Sequence, residues 1–340
     1  MGLLTYLRAN FTALGVAMLL GTPLPCARIC VAMPSNRYSV IARAIASPHL
    51  DRLQTPLNEI RAISPYCVLA RFFIADQRQR VRMSTLIVSP KLARTNNAEN
   101  SRSNTQCNFR NVADSRARAT IIMLPGLGMP KKSMMPYANY FAQFGIRSVI
   151  VNLQGQGTSS GNTLGILTKD AQDLRVLLRT MRSQRLLSSR LGLLGLSYGA
   201  AAALDFAACA TGIRLVVSVA PFARTSDGIR QFVEMFDPQL KPYVTGSGWP
   251  IILSRVSRIT GVNLSASDPL NHVSSIHAFV LYIGGAKDPI GAPATLWELA
   301  SRTQRHAINI ESNANHIEVT SNWRYVTSIS LPYVQKYLIN

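Results

Sequence analysis

The sequence of 340 residues is poor in charge, with 15% charged against 47% hydrophobic residues. This composition excludes a disordered protein, because disordered chains lack the apolar surface needed to build a core. No apolar run reaches the roughly 18 residues of a membrane-spanning helix, which excludes a polytopic membrane protein. The spacings C-x-x-C and H-E-x-x-H are also missing. We therefore predict no metal site and no cofactor.

Acidic residues are scarce: 16 oppose 36 basic residues, which gives a formal net charge of +20. The basic residues are spread over the whole length, so we predict no nucleic-acid binding. Four arginines with helical spacing predict one basic helix face: Arg175, Arg179, Arg182 and Arg185. A solvated surface is the simpler interpretation of this face, and contact with an anionic membrane surface is the alternative. Nothing in the sequence indicates an oligomeric state.

Residues 1–32 resemble a secretory signal peptide. Arg8 precedes the apolar stretch 11–21, and the small residues Cys30 and Ala32 fit a cleavage site after Ala32. We therefore expect an exported protein, either periplasmic or secreted. An uncleaved N-terminal membrane anchor is the alternative, in which the same stretch stays attached.

Export would leave three cysteines in an oxidising compartment, Cys67, Cys107 and Cys209. A disulfide between Cys67 and Cys107 is one hypothesis, because the first residue begins a predicted strand and the second lies in a polar loop. Three unpaired thiols are the other hypothesis, and the sequence does not distinguish between them.

The chain divides into an N-terminal extension with short helices at 33–66 and one domain at 67–340. Two β-rich runs at its start predict an antiparallel hairpin, and the polar residues 91–118 predict a long surface loop. Later strands alternate with amphipathic helices, which predicts a mostly parallel sheet with helices on both faces. Residues 222–266 break this alternation and predict a helical lid insertion. The predicted strands are 67–75, 81–89, 120–124, 147–153, 191–195, 213–220, 278–283 and 306–310.

The motif Gly-Leu-Ser-Tyr-Gly at 195–199 lies between a predicted strand and an alanine-rich helix. This is the context that a G-x-S-x-G nucleophile elbow requires. Gly195 and Gly199 let the chain pass closely on both sides of a strained Ser197, so that the serine hydroxyl is exposed above the sheet edge. The N-terminus of the following helix favours developing negative charge.

A serine hydroxyl needs a general base and an orienting carboxylate to become a nucleophile. Asp288 and His316 each follow a predicted parallel strand. Both residues therefore fall at the sheet edge that carries Ser197, in the chain order Ser, Asp, His. The rival residues fall at the opposite edge of the sheet: Asp268, His272 and His277 precede the strand 278–283, and His306 lies at the beginning of its own strand.

On these motifs the chain resembles the α/β-hydrolase superfamily over residues 67–338. The segments 267–270 and 288–290 look like the serine-aminopeptidase and monoacylglycerol-lipase-like branch. The resemblance implies the α/β-hydrolase fold, with an eight-stranded, mostly parallel sheet, helices on both faces and a small helical lid.

The same resemblance implies roles for individual residues. Ser197 would be the nucleophile, His316 the general base and Asp288 its orienting carboxylate. Backbone N–H groups of Tyr198 and Leu127 would form the oxyanion hole.

The aromatic and aliphatic residues of the predicted lid would wall an apolar acyl pocket. We therefore expect an exported serine hydrolase that cleaves small-molecule carboxylic esters, like an esterase or lipase. An aminopeptidase would need acidic groups to hold a free amino terminus, for which the lid offers only Asp227, Glu234 and Asp237. An acyltransferase or thioesterase would use the same three residues. The non-enzymatic alternative is an inactive binding protein with the hydrolase fold.

Overall fold

The computed structural model describes residues 34–48, 57–76, 81–90, 109–114 and 117–340. An eight-stranded sheet lies at its centre, with the strand order β1-β2-β4-β3-β5-β6-β7-β8. The β2 strand pairs antiparallel with both β1 and β4, and the other neighbours are parallel. The strands are β1 Cys67–Asp76, β2 Val81–Ser89, β3 Ala119–Leu124, β4 Ile146–Val151, β5 Leu191–Leu196, β6 Ile213–Val219, β7 Phe279–Gly285 and β8 His306–Glu311.

The central strands carry apolar side chains on both faces of the sheet, and each face is buried in a hydrophobic core. All six residues of β3 are buried. Ile121 and Met123 pack into one hydrophobic core, whereas Ile122 and Leu124 pack into the other. Because side chains alternate along a strand, the two cores lie on opposite faces of the sheet.

Helices cover both faces, as predicted. The helices are α1 Pro34–Ala46, α2 Leu57–Ala62, α3 Phe109–Asp114, α4 Met135–Ala142, α5 Thr168–Ser183, α6 Tyr198–Cys209, α7 Thr225–Phe236, α8 Lys241–Thr245, α9 Trp249–Thr260, α10 Pro269–His272, α11 Pro293–Arg302, α12 His316–Ser321 and α13 Trp323–Val334. The α5, α6 and α11 helices supply one core, and α4, α12 and α13 supply the other. The predicted eight-stranded, mostly parallel sheet with helices on both faces is confirmed.

The stretch 91–118, predicted to be a polar surface loop, contains α3. Val112 in this helix is buried, and the Arg71 guanidinium lies over the Phe109 ring at 4.5 Å. The buried Arg147 of β4 donates hydrogen bonds to the carbonyls of Val112 and Leu186, at 2.5 and 2.6 Å. The apolar side chains of Phe109 and Val112, together with the hydrogen bond from Arg147, therefore attach α3 to the core. The rest of the predicted loop, 91–108 and 115–116, lies outside the described residues.

The prediction of a four-arginine helix face is wrong for Arg185. The α5 helix ends at Ser183, and Arg185 follows with a left-handed φ of 57°. Arg175 donates to the Cys209 carbonyl at 3.0 Å. The break occurs because the chain must turn here toward β5, which periodicity alone does not reveal.

Residues beyond the sheet form a third apolar cluster. It combines α1, the helices α7 to α9 and the loop before α5. The α7 to α9 helices lie between β6 and β7, within the segment 222–266 that the broken alternation marked as an insertion. The N-terminal extension and the insertion thus share one core.

The predicted signal peptide or anchor, residues 1–32, lies outside the described residues. Within the described ranges no helix is both long and apolar enough to cross a membrane. Cys67 is disulfide-bonded. Cys107, its predicted partner, lies outside the described residues, and Cys209 is a free thiol.

Candidate active site

The turn between β5 and α6 presents Ser197 in a strained conformation, with φ 52° and ψ −116°. Its N–H donates to the Val219 carbonyl at 2.8 Å, which attaches the turn to the neighbouring strand. A Cβ on Gly195 would lie 2.2 Å from the Gly199 carbonyl oxygen, and one on Gly199 would lie 2.1 Å from the Leu124 oxygen. Both positions therefore accept only glycine, which is the packing predicted for a nucleophile elbow.

The structure brings Ser197, His316 and Asp288 into one hydrogen-bonded chain. The Ser197 hydroxyl lies 2.8 Å from Nε2 of His316. Nδ1 of the same ring lies 2.9 and 3.0 Å from the two carboxylate oxygens of Asp288. All three side chains are buried. A ring whose Nδ1–H donates to the carboxylate leaves Nε2 free to accept the serine proton.

Two local devices hold the acid and the base in place. The Asp288 Oδ1 atom accepts hydrogen bonds from the N–H groups of Ile290 and Gly291, at 2.8 and 3.0 Å. His316 is the first residue of α12, and the Asn315 side chain caps that helix by accepting two backbone N–H groups at 3.0 Å. The imidazole orientation is thus determined by a helix start as well as by the carboxylate.

The rival residues lie elsewhere. The Asp268 carboxylate accepts the Thr225 N–H at 2.8 Å, at the start of α7. His272 bonds through Nδ1 to Asp205. His306 begins β8 with Nδ1 2.9 Å from the Thr303 carbonyl, and His277 is exposed. The contacts of Asp268, His272 and His306 are structural and do not involve Ser197.

The loop after β3 passes beside the nucleophile. A Cβ on Gly126 would lie 3.4 Å from Cβ of Ser197. The next residue, Leu127, lines the space around Ser197. Tyr198 is the first residue of α6, so its N–H has no acceptor within the helix. Leu127 and Tyr198 therefore remain the predicted oxyanion-hole donors.

Two pockets meet at Ser197. The larger encloses about 630 Å³ including its open mouth, and its lining is almost entirely apolar. The smaller, of about 470 Å³, lies on the side of His316 and includes Met129, Phe236 and Ile317. The Leu127 and Phe232 side chains belong to both. The described residues that line the two pockets include no aspartate and no glutamate.

A buried pair behind the nucleophile was not predicted from the sequence. The Tyr198 hydroxyl donates to Asp170 Oδ2 at 2.5 Å, and the Leu167 N–H donates to the same oxygen at 3.1 Å. Burial raises the pKa of Asp170 to about 6, an effect that these hydrogen bonds oppose. Burial, followed by the nearby Asp170 charge, raises the pKa of the Tyr198 hydroxyl. The signal available in the sequence was an aspartate in the first turn of a helix, which is too common to indicate this role.

Among the described residues, no group of three or more histidine, cysteine, aspartate and glutamate side chains could hold a metal ion. Serine, imidazole and carboxylate are instead arranged for acid–base and nucleophilic chemistry.

Comparison with known proteins agrees with this fold. Residues 115–274 match the model of the serine aminopeptidase S33 family, a stretch that includes Ser197 and ends before Asp288. The fold is similar to that of the Pyrococcus furiosus esterase Pf2001, with a TM-score of 0.59 and 15% identity over 84% of this chain and 94% of that chain. No curated protein matches the chain by sequence.

Two peptidases share the fold as well. The Pyrococcus horikoshii acylaminoacyl peptidase gives a TM-score of 0.56 at 14% identity, over 85% of this chain and 45% of that chain. The Mycobacterium tuberculosis puromycin-hydrolyzing peptidase gives 0.57 at 14% identity, over 81% and 41%. The chain thus has the predicted α/β-hydrolase fold, and its predicted resemblance to the serine-aminopeptidase branch is confirmed.

Proposed function

We propose that this protein is a serine hydrolase that cleaves carboxylic esters, with Ser197 as nucleophile, His316 as general base and Asp288 as its orienting carboxylate. The observation that carries the proposal is the hydrogen-bonded chain of these three residues at the junction of two apolar pockets. A structural turn serine would not need a buried imidazole and a buried carboxylate in register behind it.

The reaction proceeds through an acyl-enzyme. His316 Nε2 accepts the proton as Ser197 Oγ attacks the ester carbonyl carbon, and the carbonyl oxygen becomes an oxyanion held by the N–H groups of Leu127 and Tyr198. Collapse of this intermediate breaks the bond to the alcohol oxygen, which takes the proton from the imidazolium. Water then repeats the sequence, releasing the carboxylic acid and restoring the serine. The Asp288 carboxylate stabilises the imidazolium in both steps.

The proton transfer to the leaving alcohol indicates which pocket holds the alcohol and which holds the acyl group. The leaving alcohol must lie within reach of His316 Nε2, so the smaller pocket, which includes His316, is its site. The larger pocket is then the acyl site. Its lining includes Phe222, Ile229 and Phe232, which suits an aliphatic or aromatic acyl group.

Because no described residue in the two pocket linings carries a carboxylate, we favour an ester over an aminopeptidase substrate. A free α-amino group is a cation, and its desolvation in an apolar pocket is unfavourable without a charged partner. Asp227, one of the three acids in the insertion, instead pairs with Arg230 at 2.9 Å. An acyltransferase or thioesterase remains the second candidate, because the same three residues serve those reactions.

The experiment that tests the proposal is labelling of the purified protein with a fluorophosphonate, followed by mass spectrometry of the modified peptide. We expect modification at Ser197 and none in Ser197→Ala, together with ester turnover reduced by several orders of magnitude in the variant. Ser218→Ala is the matched control, because Ser218 is a fully buried serine on the neighbouring β6. A folded wild-type protein that takes no label would instead favour the inactive binding protein.

A panel of esters, aminoacyl amides and thioesters, with and without added alcohols as acyl acceptors, then separates the candidate reactions. We expect ester hydrolysis to exceed amide hydrolysis. Amide cleavage that exceeds ester cleavage would make the protein a peptidase, and transfer that exceeds hydrolysis would make it an acyltransferase.

Export is part of the proposal. The signal-like residues 1–32 and the disulfide at Cys67 both support an oxidising destination outside the cytoplasm. Mass spectrometry of the mature N-terminus tests this, with cleavage after Ala32 expected. A full-length chain recovered in the membrane fraction would support the anchor, and a full-length chain in the cytoplasm would contradict export.

A further inference from the structure

The α1 helix, which lies outside the predicted hydrolase domain, packs on the insertion. Its apolar residues Ile41 and Ile45 lie four positions apart, on one helix face, and join the fully buried Ile252 and Val256 of α9 in one cluster. Tyr38 extends the contact because its ring covers Gly248, where a Cβ would lie 2.3 Å from the ring. A side chain at position 248 would therefore displace the Tyr38 ring.

The end of α1 is also attached to the wall of the larger pocket. The Ala46 carbonyl accepts a hydrogen bond from the Leu164 N–H at 2.9 Å. Leu164 and Ile166 line that pocket, in the loop that precedes α5. Ile166 has a left-handed φ of 43°, which a branched side chain adopts only when its surroundings impose it. The contact with α1 is therefore one of the constraints on the pocket wall.

Three residues of the N-terminal extension line the larger pocket directly, together with Ser197: Ala44, Ile45 and Pro48. The extension thus reaches the space where an acyl group bonded to Ser197 would extend. We propose that α1 is part of the acyl site and that Ala44 and Ile45 set the acyl length that this site accepts. The proposal rests on the ester-hydrolase function proposed above.

Adding bulk at position 44 tests the proposal, because Ala44 is half-buried and its side chain is the smallest that carries a Cβ. A phenylalanine there would occupy space in the larger pocket, which Ala44 lines, and not in the smaller pocket, which His316 lines. We expect Ala44→Phe to lower kcat/KM by about 10-fold or more for esters of long acyl chains, since a few methylenes in an apolar pocket change kcat/KM to this extent. Turnover of acetate esters should fall much less than turnover of the long-chain esters, because an acetyl group needs little of the pocket.

Arg43→Phe is the matched control, because Arg43 lies on the same helix and is exposed. It adds an aromatic ring outside the pocket and should leave the chain-length profile unchanged. Ile45→Val is the reverse test. Removal of one methylene from the pocket lining should raise the relative kcat/KM of longer or branched acyl chains.

Fluorophosphonate labelling of Ser197 and acetate ester turnover are measured in every variant, which separates this proposal from the proposed function. A wild-type chain-length profile in labelled Ala44→Phe would overturn the role of α1, and so would an equal loss for all chain lengths. A folded wild-type protein that takes no label would overturn the proposed serine-hydrolase function. If Ala44→Phe does not fold, Ala44→Leu provides the same comparison with less added bulk.

Discussion

Side chains are held by different interactions at the sheet edge and in the pocket roof, which is the part of the molecule formed by α1 and the insertion 222–266. At the sheet edge, Ser197, Asp288 and His316 follow the ends of three strands and are oriented by directed hydrogen bonds. The roof, made of α1 and the insertion, is held mainly by the apolar side chains of the third cluster. Hydrogen bonds determine positions sharply, whereas apolar contacts tolerate changes in shape of similar volume. The chemistry is therefore fixed by the sheet, and the substrate range can change with the roof.

The comparison predicts the largest loss at the sheet edge. Asp288→Asn should reduce kcat/KM for esters by about 10⁴-fold while leaving the fold intact. The amide offers its N–H₂ group to the ring, which favours the tautomer with hydrogen on Nε2, so His316 can no longer accept the serine proton. Asp268→Asn is the matched control and should change activity by only a few-fold, since Asp268 caps the start of α7. Activity lost in Asp268→Asn and kept in Asp288→Asn would show that the acid was misassigned.

A substitution in the roof should affect stability more than chemistry. Ile252 of α9 is 0% exposed in the third cluster. Ile252→Ala should lower the free energy of unfolding by about 2–5 kcal/mol through lost burial and a residual cavity. The neighbouring Ile251 is 44% exposed, so Ile251→Ala should stay within about 0.5 kcal/mol.

Denaturant unfolding measures both effects, and labelling of Ser197 measures the chemistry. We expect labelling rates of Ile252→Ala within about 2-fold of wild type at temperatures where the variant is folded. A labelling rate that falls with the stability would mean that the roof orients the nucleophile, and the contrast between the two parts would fail.

The buried Asp170 lies behind Tyr198, between the sheet edge and the pocket roof. Its raised pKa predicts that the free energy of unfolding depends on pH. Because its pKa is raised from 3.8 to about 6, the folded state retains a proton that the unfolded chain releases over this interval. Stability therefore falls as pH rises from about 4 to 6 and is level above. At about 1.4 kcal/mol per pH unit, the loss is about 3 kcal/mol.

Unfolding measured at several pH values in wild type and Asp170→Asn checks this prediction. The difference in free energy between the two proteins should change by about 3 kcal/mol across the interval, since only the wild type carries the titrating carboxyl. A difference that does not vary with pH would mean that Asp170 titrates alike in both states.

The features of the sheet edge could be predicted from the sequence, whereas the contacts of the pocket roof could not. Strand patterns located all eight strands to within a few residues, because continuous apolar runs bounded by turns identify buried strands. The elbow motif and two strand ends were then sufficient to bring Ser197, Asp288 and His316 together. These are local signals, since each residue follows its own strand.

The roof carries no such signal. The α1 helix and α9 are more than 200 positions apart, and an amphipathic helix does not indicate which apolar surface it covers. The role of Asp170 was missed and Arg185 was wrongly placed on a helix face for a related reason, because burial and chain direction depend on tertiary packing. The sequence predicted short helices in the N-terminal extension and a helical insertion, but not the contact between them.

The smallest effect should come from the ion pair that links the two parts at the surface. Arg224, just before α7, donates to Glu298 of α11 at 2.9 Å, and the two side chains are 42% and 37% exposed. The hydrogen bond to Arg224 lowers the pKa of Glu298. Exposed pairs of this kind contribute less than about 1 kcal/mol and lose most of that in salt.

A double-mutant cycle of Arg224→Ala and Glu298→Ala measures the coupling at low and high salt. The pair of Arg230 and Asp227, with exposures of 37% and 38%, lies wholly within α7 and is the matched control. We expect both couplings to be similar and salt-sensitive, because exposure determines them. A coupling between Arg224 and Glu298 that clearly exceeds the control and persists in salt would mean that a polar contact also holds the pocket roof on the sheet. Substitutions in the roof would then affect catalysis more than its apolar packing implies.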